Sequence, residues 1–123
     1  MSKILTSYFA KINKMDFRVS EPVSIARFTP KWYIGEKCLE LAPSAEILLA
    51  YKEDEDWEKF KRHYLEELSR LNPHEIHRKL QKLGRGKDVI LLCFEKDPFK
   101  CHRSICAKWL RDKLGISVQE LNI

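Results

Sequence analysis
The chain has 123 residues, 44% hydrophobic and 33% charged, with only 4 glycines and 5 prolines, which excludes a disordered, collagen-like or low-complexity protein. That length suits one compact core, inside the usual single-domain range of roughly 100–150 residues. The longest strongly apolar runs, residues 47–51 and 89–94, fall far short of the ~20 residues that cross a bilayer, so no membrane partner is expected.

In chain order, residues 3–9 mix β-branched and aromatic side chains and predict a first strand. After an irregular polar connection, residues 23–29 predict a second, stopped by Pro30. Pro43 suits the first position of a helix reaching Tyr51, and the acidic cluster at residues 53–56 suits the start of the next, where the helix dipole is positive. Trp57, Phe60, Tyr64, Leu68 and Leu71 then recur at helical spacing as one apolar stripe. Asn72-Pro73 opens a further helix carrying Ile76, Leu80 and Leu83, with Gly84 expected at its left-handed end. Residues 88–94 form an apolar run bounded by charge, the pattern of a central strand buried on both faces. Asp97-Pro98 signals a turn, residues 102–114 a helix closed by Gly115, and residues 117–121 a last strand. Strands interleaved with helices predict a three-layer α/β sandwich with a mainly parallel central sheet.

In such a sheet, ligands bind at the carboxyl ends of the strands. That edge is expected to hold Cys93, Glu95, Lys100 and the run Cys101-His102-Arg103-Ser104, with Arg27 at the end of the second strand. Arg103 falls in the first turn of its helix, where a positive charge opposes the dipole, unless an anion sits between Arg103, Lys100 and the free amides. The alternative is that Arg103 points to solvent or pairs with Glu95. Cys101 lies at the same helix end among cations, the setting that favours a thiolate nucleophile. Its alternative is a small buried hydrophobe. Cys93 and Cys106 read as core, although Cys93 at its strand end could face Cys101 across the loop as a redox pair. The spacing does not fit a phosphatase loop, which needs a cysteine and an arginine with five residues between them. No Cys-x-x-Cys pair occurs, and adjacent Cys101 and His102 are badly placed to hold one ion, so no metal and no cofactor are expected. No signal-peptide pattern opens the sequence, which leads us to expect a cytoplasmic protein whose four cysteines are reduced.

Residues Leu91-Leu92-Cys93-Phe94-Glu95-Lys96-Asp97-Pro98 followed by Cys101-His102-Arg103 resemble the signature of the domain of unknown function 488 (DUF488) family. Ile4-Leu5-Thr6-Ser7-Tyr8-Phe9, Ser24-Ile25-Ala26-Arg27 with Pro30, and Leu41-Ala42-Pro43-Ser44 are similar to its short branch. Where many members carry Asp-Val-Arg, this chain has Ile25-Ala26-Arg27 and so lacks that acidic group. The resemblance implies a Rossmann-like fold with its site at the Cys-His-Arg segment; it implies no particular reaction.

Three functional readings follow. The first is a crevice for a nucleotide, a nucleic-acid end or another anionic small molecule. In it Arg103, Lys100, Arg27 and Ser104 serve as anchors, Cys101 as nucleophile, His102 as its orienting base and Glu95 as acid/base. The second is a nucleic-acid-binding module. Residues 60–113 carry +7 of the net +5, against −5 over residues 36–59, and include Lys61, Arg62, Arg70, Arg78, Lys79, Lys82 and Arg85. The third is a structural network in which Cys93, Glu95, His102 and Arg103 tie the loop to the sheet. Either a monomer or a homodimer through the long helix is compatible with the sequence.

Overall fold
A computed structural model describes residues 2–123. Its centre is a five-stranded, wholly parallel sheet of β1 (Ile4–Tyr8), β2 (Ser20–Ser24), β3 (Glu36–Lys37), β4 (Asp88–Cys93) and β5 (Val118–Glu120), in the order β3-β2-β4-β1-β5. β4 lies in the middle, as its unbroken apolar run predicts, and successive side chains leave it on opposite faces. Val89 and Leu91 join Ile4, Val23 and Val118 in the larger core, whereas Ile90 and Leu92 meet Phe9, Ala26 and Tyr33 in the smaller one.

The larger core is roofed by α1 (Ala45–Asp54), α2 (Trp57–Ser69), α3 (Pro73–Gly84) and α4 (His102–Leu114). The stripe predicted on α2 is the buried one: Phe60, Tyr64 and Leu68 are inaccessible, with Trp57 and Leu71 packed at its ends. Side-chain caps start three of the helices. Ser44 accepts the Ile47 N–H, Asp56 the Lys59 N–H, and Asn72 those of His74 and Glu75. Helix α4 is the exception, because its N-cap is Cys101 and no side chain caps it. The opposite face carries a thinner layer, the 3₁₀ segment Phe9–Lys14 and the loop around Tyr33, pinned where the Phe9 ring meets those of Tyr33 (5.2 Å) and Phe94 (5.0 Å). The result is the α/β sandwich expected from the sequence, Rossmann-like in its parallel sheet. Among the described residues no helix is long and apolar enough to cross a membrane.

Three boundaries differ from expectation. The second strand spans Ser20–Ser24 rather than residues 23–29. Pro22 reads as a strand breaker, but β3 pairs only with Val23 and Ser24, so the sheet accommodates a proline opposite β4 alone. Beyond Ser24 the chain turns away, with the Ser24 hydroxyl accepting the Ala26 N–H at 3.2 Å. The first α-helix starts after Pro43, at Ala45, and continues past Tyr51 to Asp54. At the end of α3 the left-handed residue is Arg85 (φ 52°), not Gly84, which is still helical.

Gly84 has another reason to be glycine: a β-carbon there would come within 2.7 Å of Val89 Cγ2 on the central strand. Gly84→Ala is therefore expected to lose about 1–2 kcal/mol. The overpacking penalty of roughly 1–3 kcal/mol outweighs the ~0.5–1 kcal/mol of helix propensity that alanine gains. Urea unfolding of the variant checks this, and a rise in midpoint would show that α3 is free to lift away from β4.

Candidate functional site
Because every strand is parallel, the carboxyl ends of β4, β1 and β5 share one edge. Register sets Cys93 beside Tyr8 and Thr6 beside Glu120. The chain leaves β4 at Cys93, loops through the turn Pro98–Lys100, and starts α4 directly above that edge. Cys101 is extended (φ −129°, ψ 143°) and His102 is the first helical residue.

Arg103 is the organising residue, with a side chain that is 0% exposed. Its five N–H groups are all taken. Nε donates to Glu120 at 2.9 Å, Nη2 to Glu120 at 2.8 Å and to the Lys96 carbonyl at 3.0 Å, and Nη1 to Cys93 Sγ at 3.2 Å and to the Glu95 carbonyl. Thr6 Oγ1 donates to the same carboxylate at 2.7 Å, and the guanidinium carbon lies 5.4 Å from the centre of the Tyr8 ring. The charge that answers this first-turn arginine belongs to the protein: it is Glu120 of β5.

The sulfurs of Cys93 and Cys101 meet at the sheet edge, within reach of pairing, while Cys38 and Cys106 are buried apart from them. The 94–100 loop folds Cys101 back onto the end of β4, which brings this pair together. Burial pushes the Cys38 thiol up to about 11 and the Cys106 thiol up to about 12, which marks both as packing groups.

His102 is also buried. Its Nε2 donates to the Ile25 carbonyl at 2.7 Å, since a carbonyl can only accept, and its ring stands edge-on to Tyr64 at 5.5 Å. Burial drives its pKa down to about 4; the bond to Ile25 opposes this and the Arg103 charge reinforces it. Cys93, Cys101 and His102 each bring one ligand-type atom within 4.8 Å of the others. That removes the objection that the neighbours Cys101 and His102 are badly placed to meet at one point.

The remaining candidates stand apart from this cluster. Arg27 lies beyond the end of β2, and its guanidinium donates to the carbonyls of Pro43 (3.0 Å) and Ala42 (3.3 Å), tying that loop to the start of α1. Lys100 is exposed. Glu95 contributes its carbonyl to Arg103 while its side chain faces solvent. Ser104 donates to the Cys101 carbonyl at 3.0 Å. On the basic stretch, Arg70, Lys79 and Arg85 pair with Glu66, Glu40 and Glu36, whereas Lys61, Arg62, Arg78 and Lys82 are not in such pairs among the described residues. Sequence reasoning missed Glu120, Thr6 and Tyr8. The available signal was the alternation at the end of the chain, where Val118 points into the core and a carboxylate two residues later shares its face.

No curated protein and no solved structure matches the chain. One family model, described as the active DUF488-N3 subclade, matches residues 19–114. This span runs from β2 to the end of α4, including the Cys-His-Arg segment, and so the chain belongs to the DUF488 family.

Proposed function
We propose that the edge formed by Cys93, Cys101 and Arg103 is a thiol–disulfide centre, with Cys101 the attacking sulfur and Cys93 its partner. The carrying observation is that the two sulfurs meet at the uncapped start of α4, with the Arg103 guanidinium on Cys93. Uncapped amides and a positive helix end favour a thiolate at Cys101, and the guanidinium favours one at Cys93. In a reducing compartment a disulfide of this kind is transient and catalytic or redox-sensing. The description of its subclade as active agrees with a reacting cluster.

The chemistry is a two-electron cycle. The Cys101 thiolate attacks a peroxide oxygen, the O–O bond breaks, and the departing oxygen takes a proton, leaving Cys101 as a sulfenic acid. Cys93 attacks that sulfur, forms the disulfide and releases water. A small dithiol reductant closes the cycle: its thiolate attacks Cys101 Sγ, Cys93 leaves as a thiolate held by Arg103, and the second thiol of the reductant displaces Cys101. Cys101 is 2% exposed, which suits an oxidant the size of hydrogen peroxide, and attack by the dithiol requires the 94–100 loop to open. The nucleotide reading is less favoured, because Arg103 is already answered by Glu120 and Arg27 by backbone carbonyls.

Site-resolved alkylation read by mass spectrometry tests the centre. Folded oxidised protein is expected to take label at neither Cys93 nor Cys101, and both are expected to label after treatment with a dithiol. Cys38 and Cys106 should stay unlabelled at pH 8 throughout, because burial keeps them protonated. One equivalent of hydrogen peroxide should then restore protection, and in Cys93→Ser it should stop at a Cys101 sulfenic acid that dimedone traps. A reduced, folded protein whose Cys101 ignores peroxide would leave the cluster a purely structural one.

A further inference from the structure
The geometry points to a second state of the same edge: once Cys93 and Cys101 are reduced, their sulfurs and His102 Nδ1 form a three-ligand site for a zinc-like divalent ion. Disulfide and metal then exclude one another. The inference rests on the proposed centre only in requiring that the disulfide be reducible; it needs no turnover.

Three observations carry it. First, the ligand-type atoms of Cys93, Cys101 and His102 lie within 4.8 Å of one another. Tetrahedral ligands at Zn–S ~2.3 Å and Zn–N ~2.0 Å sit about 3.5–3.8 Å apart, so the cluster needs only local adjustment. The Cα atoms of Cys93 and Cys101 are 7.1 Å apart, which leaves room for their sulfurs to separate by that amount. Second, the histidine is in the tautomer that ligation at Nδ1 requires. Its Nε2–H is spent on the Ile25 carbonyl, which fixes the tautomer and leaves the Nδ1 lone pair available, the arrangement usual for metal-ligating imidazoles. Third, the charges close. Two thiolates neutralise a dication, Glu120 neutralises Arg103, and the Arg103 N–H already placed on Cys93 Sγ is a hydrogen bond that a ligating thiolate accepts.

Two cysteines and one histidine leave one tetrahedral position without a protein ligand. Closed structural zinc sites fill all four positions, whereas catalytic ones keep the fourth for water or substrate. The site proposed is therefore of the open kind, and oxidation of its two thiolates would eject the ion.

The test is titration of reduced wild-type protein with Co²⁺ under argon, followed by absorption. One equivalent is expected to bind, with a thiolate-to-cobalt charge-transfer band, and Zn²⁺ is expected to displace it. The disulfide form should bind none. Cys93→Ser should lose most of the charge-transfer intensity, and His102→Asn, which can still donate to Ile25, should weaken binding at least tenfold. If a variant fails to fold, Zn²⁺ protection of the wild-type protein answers instead: one equivalent should slow alkylation of Cys93 and Cys101 together. Reduced protein that alkylates at both cysteines but takes no cobalt overturns the metal site and leaves the thiol centre standing. Cobalt binding without charge transfer, or unmoved by both variants, overturns it by placing the ion elsewhere. Cobalt binding by a protein whose dithiol ignores peroxide supports the metal site and removes the thiol cycle.

Discussion
Replacing Arg103 with alanine is expected to cost about 3–5 kcal/mol of folding stability, a large share of the ~5–15 kcal/mol available to a domain of this size. The side chain is completely buried, so its removal opens a cavity and strands its acceptors. Two backbone carbonyls, the Cys93 sulfur and the Glu120 carboxylate lose their donors together. Arg103→Lys should recover little, because one ammonium cannot span acceptors that a planar fork reaches in several directions. Glu120→Gln should cost less, since that carboxylate is 35% exposed and water replaces part of what is lost. Denaturant unfolding of the three variants measures this order. An Arg103→Ala protein within about 1 kcal/mol of wild type would show that the network is not what fastens the 94–100 loop to the sheet.

The same network explains what the sequence reveals and what it hides. β4, α2 and α4 are legible because each keeps one periodicity over its whole length: an apolar run, a three-and-four stripe, a helix ending in Gly115 at φ 65°. β2 is misplaced because local propensity favours Ile25 and Phe28 over Pro22, whereas the pairing partner decides the outcome. That shift carries Arg27 off the strand and into contact with Pro43. The Cys93–Cys101 cluster is legible in place, since the two residues do meet at the sheet edge. Its internal wiring is not, because the partner of Arg103 lies 17 residues away on a three-residue strand. A dipole conflict at Arg103 announces that an anion is needed without saying whether a ligand or the chain provides it.

Stability should also fall as the pH drops from about 6.5 to about 4, by on the order of 3 kcal/mol, through His102 alone. In the unfolded chain the imidazole takes a proton near its ordinary value of 6.5, whereas in the fold it stays neutral down to about 4. The unfolded state therefore binds more protons across this window, and stability rises with pH until about 6.5 and levels off above it. Burial is the main cause, and the groups around the ring relieve it only in part. The Ile25 carbonyl accepts one N–H, the Tyr64 ring offers only its edge, and the Arg103 charge repels a second positive charge. The surface carboxylates held low by their ion pairs, Asp16, Asp54 and Asp112, contribute in the same direction at lower pH, beneath the usual carboxylate range. Unfolding of the oxidised protein at a series of pH values, compared with His102→Asn, isolates the imidazole. The variant should flatten the dependence between pH 6.5 and 4.5 and leave the acid limb in place. A wild-type protein with constant stability over that interval would mean that His102 accepts its proton in the fold, which requires water or another acceptor to reach Nδ1.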